Sequence, residues 1–123
     1  MEEKLEKAAS KVLDLLGIKG VSLDVFLVPD DVMHKINREY HGKDKETNIL
    51  SFEEPDIPHP DSELRHIGEI YLAPDYISAH NEDIVRLLVH GILHLLGYDH
   101  ERGARAARVM EKKEQEIIEK AGF

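Results

Sequence analysis

Cysteine is missing from the 123-residue chain, which excludes disulfide bridges and thiolate metal ligands alike; any transition-metal site must use His, Asp or Glu. The absence is compatible with a reducing compartment. Long apolar runs are missing too. The longest, around Leu87 to Leu96, is interrupted by His90 and His94, and no apolar segment follows the first basic residues, so neither a membrane span nor a signal peptide is expected. Positive charge is scarce: 16 Lys and Arg against 25 Asp and Glu leave a net charge of -9. On its face that disfavours a polyanionic partner, because phosphate binding is driven by cationic neutralisation and counterion release. The distribution qualifies the sum. Acids concentrate in the first helix, in Glu53 to Glu63 and in Glu111 to Glu119, whereas cations cluster in Lys35 to Lys45 and Arg102 to Lys113.

What is present fits one domain spanning residues 1–123, long enough to bury a core without covalent staples. Leu5, Ala8, Ala9, Val12, Leu15 and Leu16 recur at helical spacing before Gly17, predicting an opening amphipathic helix. Val21, Leu23, Val25 and Leu27 alternate with more polar residues as a strand does, and Pro29 ends it. Asp30 or Asp31 can cap a second helix that carries Val32, Met33, Ile36 and Tyr40 on one face and closes at Gly42. Thr47 to Phe52 reads as a second strand, in which Asn48 and Ser51 mark either a solvated edge or a pocket wall.

Residues 53–66 hold three prolines and several acids without periodicity and read as a loop. Ile67 to Ala73 is a third strand, Pro74 starts a short helix ending near His80, and Asn81 with Glu82 and Asp83 caps the next helix. A last helix turns Ala106, Met110, Ile117 and Ala121 inward. His34, His59, His66 and His80 lack partner spacing and read as surface histidines. The expected fold is α/β (α+β): a small mixed sheet of three to four strands packed with about five helices.

From Ile84 to Leu96 only Arg86, His90 and His94 break an apolar sequence, which describes a helix buried on most sides. Residues four apart lie one above the other, with Cβ atoms about 6 Å apart, so two imidazoles can converge on one ion. Gly97 lets the backbone turn after the helix and can bring His100 back toward the same point. His90, His94 and His100 are thus expected to hold one zinc ion, with a fourth position left for water, as catalytic rather than structural sites do.

The spacing equals that of the zinc peptidase signature His-Glu-x-x-His-x-x-Gly-x-x-His, but Gly91 stands where the peptidase's general base belongs. His90-Gly91-x-Leu93-His94-Leu95-x-Gly97-Tyr98-Asp99-His100 instead resembles the signature of the YbeY family, single-strand-specific, metal-dependent endoribonucleases of bacterial rRNA maturation. Asn37-Arg38-x-Tyr40 leading into Gly42-Lys43-Asp44-Lys45-x-Thr47-Asn48-Ile49-Leu50-Ser51-Phe52 resembles a second block of that family, and Gly68-Glu69-Ile70 a third.

The resemblance implies a cytoplasmic, zinc-dependent endoribonuclease of 16S rRNA 3′-end processing, with single-stranded rRNA precursor, the small ribosomal subunit and assembly factors as partners. Where the family usually has an arginine before the Gly-Lys-Asp turn, this chain has His41; Arg38, one helical turn earlier, and His41 are the candidates for its catalytic role. Glu101 is the candidate proton acceptor or partner of an imidazole. Lys43, Lys45, Asn48, Ser51, Arg102 and Arg105 are the candidate RNA contacts. Two other classes compete: a non-catalytic, metal-stabilised assembly or RNA-binding factor, and an atypical metallopeptidase.

Because imidazole must be neutral to coordinate, protein purified without chelators is expected to carry about one equivalent of zinc and to release it below about pH 6.5. Elemental analysis across a pH series checks this; sub-stoichiometric metal at every pH would count against the three-histidine site.

Overall fold

The computed structural model describes residues 1–54, 65–98 and 102–123, and within them it contains five helices and three strands. The alternating run of apolar residues forms β1 (Val21–Leu27), which pairs in parallel with β3 (Arg65–Leu72); β2 (Ile49–Glu53) pairs antiparallel with the other edge of β3. The order β1-β3-β2 makes a mixed sheet with β3 at its centre.

Helices α1 (Glu2–Leu15), α4 (Ile84–Leu95) and α5 (Ala104–Ala121) pack together on one face. Val12, Ile70, Leu72, Leu88, Ile92, Leu93 and Met110 meet there with almost no solvent exposure. A smaller cluster lies on the opposite face, where Met33 and Ile36 of α2 (Asp30–His41) pack with Leu50, Phe52 and Tyr71, joined by Tyr76 of α3 (Pro74–Ala79).

Element boundaries depart from expectation for local reasons. Pro29 occupies the N-cap of α2 in extended conformation, so Asp30 and Asp31 fall in the first turn rather than capping it. There they face the positive end of the helix dipole. Val32 and Tyr40, expected on the apolar face, are exposed, because the helix rolls to bury Met33 and Asn37. At α4 the expected cap forms: the Asp83 carboxylate accepts from the backbone N–H groups of Val85 and Arg86 at 2.9 and 3.3 Å.

The third strand begins earlier than its periodicity shows. Arg65 and His66, read as the end of a loop, belong to β3; the remainder of that predicted loop, residues 55–64 with His59, lies outside the described residues. A register shift opposite Ser22 and Leu23 skips Ile67, so Ile67 reaches the main core while the adjacent Gly68 lies against Leu95 of α4. An extra residue of this kind breaks the two-residue alternation on which strand reading depends.

His66 is consequently no free surface histidine. Its Nε2 lies 2.8 Å from Asp24 Oδ2 on β1, and its Nδ1 meets Glu54 just after β2, so one imidazolium ties three strands. His34 likewise has a partner, Asp44 Oδ1 at 2.6 Å, and His80 stacks on Tyr76.

Gly68 is obligatory by contact as well as conformation. At φ 153°, an added Cβ would press on the Phe52 carbonyl and lie 2.8 Å from Leu95 Cδ2. Gly68→Ala is expected to lose about 3 kcal/mol, roughly 12 °C in Tm, through overpacking against backbone. At Gly97 nothing lies within 4 Å of the added Cβ. Gly97→Ala is therefore expected to cost only the backbone strain of about 1 kcal/mol. Equal losses in urea unfolding would show that contact is not the deciding factor.

Burial opposes charge on His66, but hydrogen bonds and Coulombic attraction from Glu54 and Asp24 outweigh it and raise its pKa above 6.5. A raised histidine stabilises fully below its unfolded pKa and loses that contribution as pH rises through the folded value. Native protein should therefore lose stability as pH rises above about 6.5, and His66→Gln should flatten that decline; parallel curves in denaturant titrations would overturn the assignment.

Candidate active site

Helix α4 is apolar nearly all round because α1, α5, β2 and β3 all pack on it. Leu88, Val89, Ile92 and Leu93 are fully buried, which leaves His90 and His94, four residues apart, as the polar groups on one face. After Leu95 the helix closes with Tyr98 N donating to Leu93 O at 3.0 Å around Gly97, whose φ is 103°. The chain thus turns where expected, but the residues that follow, Asp99, His100 and Glu101, lie outside the described residues.

Gly91 has a structural cause that sequence did not reveal. An added Cβ would stand 3.0 Å from Ile49 Cδ1 and 3.2 Å from Ile70 Cδ1, so glycine lets α4 approach the sheet closely and any larger residue there would press on those two side chains. The close approach also brings His90 and His94 to the edge of β2.

Facing them is a wall built by α2 and the turn after it. His90, Gly91 and His94 share a cleft of about 360 Å³ with His41, Lys43, Lys45, Thr47, Ser51 and Asn37. Asn37 organises this wall. Only 2% exposed, it donates its side-chain amide to Lys45 O at 3.0 Å, and its carbonyl accepts from Lys43 N at 3.3 Å across the left-handed Gly42. Asp44 of the same turn is held by His34. The backbone that carries Lys43 and Lys45 is therefore anchored beside the cleft, and their exposed side chains line it. The His41 ring packs on Phe52, 5.3 Å between centroids.

Behind the cleft, His90 Nδ1 meets the carboxylate of Glu114 on α5. Glu114 is a buried acid, 7% exposed, and sequence reasoning missed it. The signal was present: the inward stripe Ala106, Met110, Ile117, Ala121 skips one helical place, and Glu114 fills it. A carboxylate accepting from Nδ1–H selects the tautomer whose lone pair sits on Nε2. His94 differs: its Nδ1 is buried with no hydrogen-bond partner among the described residues, a deficit that coordination or an ion would relieve. Two imidazoles one helical turn apart suit a transition metal. Among the described residues no third His, Asp or Glu completes the set.

The other expected residues are spread more widely. Arg38 is exposed on α2 and does not line the cleft. Asn48 turns to a second cleft, which shares Ile49 and His90 with the first, and its amide donates to Glu82 at 3.1 Å. Ser51 lines the first cleft from an edge strand, so the two readings offered for that strand both hold. Arg102 and Arg105 lie exposed at the start of α5, outside both clefts. Asn37 and Thr47 join the site without having been named for it.

Known proteins resemble this chain over nearly its whole length. The family model for endoribonuclease YbeY matches residues 1–122. Endoribonuclease YbeY of Persephonella marina is 39% identical over 123 residues, covering 94% of this chain and 80% of its own length. The enzyme of that name from Aquifex aeolicus is 32% identical over 127 residues, covering 97% of this chain and 83% of its own. The solution structure of a Thermotoga maritima protein aligns with a TM-score of 0.60 at 30% identity, covering 95% of this chain and 78% of that one. With the histidine pair, the glycine between them and the lysine-bearing turn all within the matched span, the chain belongs to the endoribonuclease YbeY family.

Proposed function

We propose that this chain is a zinc-dependent endoribonuclease that cleaves single-stranded RNA, with the 3′ end of precursor 16S rRNA as its substrate. The observation that carries the reading is the cleft that His90 and His94 share with two lysines, an imidazole and two hydroxyls: Lys43, Lys45, His41, Thr47 and Ser51. That local composition answers the objection raised by the net charge of -9. Phosphate binding depends on the cations within about a Debye length, roughly 8 Å at physiological salt, rather than on the total.

His90 and His94 would hold the zinc ion together with His100, which lies outside the described residues. An ion so held supplies Lewis-acid stabilisation of a phosphoryl group and a source of hydroxide near neutral pH. The chain's own residues do the rest. Lys43 and Lys45 offer charge to the phosphoryl oxygens, and Asn37 keeps the turn from moving as they bind. Thr47 and Ser51 offer hydroxyl donors from the β2 side, and His41 takes the place at which the family has an arginine.

Gly91 disfavours the peptidase alternative, since no carboxylate base stands where the peptidase pattern has one. Among the described residues no helix is long and apolar enough to cross a membrane. Action in the cytoplasm, alongside the small ribosomal subunit and its assembly factors, is the cellular counterpart of this reading.

Zinc-loaded protein is expected to cleave single-stranded but not duplex RNA, and His94→Ala to lower the rate by about 10³-fold or more. Lys43→Ala and Lys45→Ala should each weaken RNA binding and reduce the slope of log K against log salt by about 0.7. Cleavage undiminished in His94→Ala would defeat the nuclease reading, and binding without cleavage would favour a non-catalytic assembly factor.

A further inference from the structure

We infer that Glu114 is the positioning residue of the candidate metal site: from the interior of α5 it holds the His90 imidazole in the tautomer and orientation that coordinate through Nε2. The inference rests on the reading of His90 and His94 as metal ligands and assigns a role to a residue that reading does not use.

Glu114 occupies a place where an acid is costly. Its neighbours along the buried stripe of α5 are Met110, Ile117 and Ala121, and it is 7% exposed. Removing a carboxylate from water is strongly unfavourable unless good hydrogen bonds offset it. Its hydrogen bond among the described residues is to His90 Nδ1. The neighbouring cleft that Glu114 lines also contains Glu82, Asp83 and Arg86. Glu82 is taken up by Asn48, and Asp83 caps α4, so neither acid serves His90. No ion pair joins Arg86 to Glu114 among the described residues, so the nearby arginine does not explain the buried acid, and its recorded partner is His90.

Chemically, a neutral imidazole has one N–H and one lone pair, and the two tautomers are close in energy in water. A carboxylate on Nδ1 can only accept, which commits Nδ1 to donate and Nε2 to carry the lone pair. It also restricts rotation of the ring about χ2. His94, with an unpartnered Nδ1, receives no such support among the described residues. His90 is therefore the pre-oriented ligand of the pair, and α5 serves to deliver one carboxylate to α4.

The role separates from mere packing in a measurable way. A buried acid kept for stability would, on replacement, cost folding and metal affinity together; a positioning acid costs affinity while its apolar isostere leaves folding unharmed. The full chain is stripped of metal, and Glu114→Met and Glu114→Gln are compared with it by thermal unfolding of the apo protein and by zinc titration against a chromogenic chelator.

Glu114→Met is expected to unfold at the same temperature as the native apo protein or higher, yet to bind zinc about 10–100-fold more weakly. Glu114→Gln, which can still accept from Nδ1–H, should recover part of the affinity. In a His90→Ala background the Met replacement should change affinity by less than about twofold, because the group it orients is gone. Nitrogen NMR of His90 should show Nδ1 protonated in the native apo protein and mixed tautomers in Glu114→Met. Zinc binding left unchanged by Glu114→Met, or an equal loss in the His90→Ala background, overturns this inference alone. Absence of zinc binding by the native chain overturns it together with the metal reading on which it rests.

Discussion

The approach of α4 to the sheet at Gly91 is the constraint on which the site depends. A helix normally stands off a sheet by the length of its side chains. Here a glycine with Ile49 and Ile70 directly against it lets the helix close in, and the residues on either side of that contact, His90 and His94, are carried to the rim of β2. The same position bears on the chemistry, because glycine supplies no carboxylate base where a peptidase would have one, and a larger residue would press on Ile49 and Ile70. Gly68 does the corresponding work on the sheet side: lacking a side chain, it lets Leu95 at the end of α4 lie against the backbone of β3.

The opposite wall depends on polar contacts rather than close packing. Asn37 is buried beside Met33, where an apolar residue would have served the core better, and both its amide and its carbonyl are committed to residues 43–45. A short charged turn that would otherwise move freely is thereby attached to a helix. This is how an acidic protein can offer a cationic surface at one place. Two lysines lining the same cleft as two histidines matter more to a phosphate than the sum of the charges over the whole chain, because exposed charges beyond about a Debye length are screened.

Buried polar side chains mark the site more reliably than exposed charges do. Asn37 and Glu114 are the two buried polar or charged residues among those described, and each supports one wall of the cleft from behind. Arg102 and Arg105, which stood out within a cluster of cations, are solvent-exposed and do not line it. Desolvation explains the contrast: an exposed cation costs nothing to place, whereas a buried amide or carboxylate persists only where a partner offsets its loss of water.

Much was legible beforehand because it follows from local periodicity. The five helices, the mixed sheet, the cap at Asp83, the turn at Gly97 and the pairing of His90 with His94 are all written in spacings of two, three or four residues, which neighbouring side chains and backbone geometry enforce directly. The features that escaped are those in which periodicity is interrupted or partners are far apart in the chain. The skipped Ile67 concealed that His66 belongs to β3, and its carboxylate partners lie 12 and 42 residues away. Glu114 is 24 residues from His90, and nothing local to α5 distinguishes it from the solvated acids around it except a gap in an apolar stripe. The sequence alone determined which groups can do chemistry and on which helix face they stand. Only tertiary structure decided which of them meet, because a buried hydrogen bond is selected by packing between distant segments, and that packing is a property of the whole core.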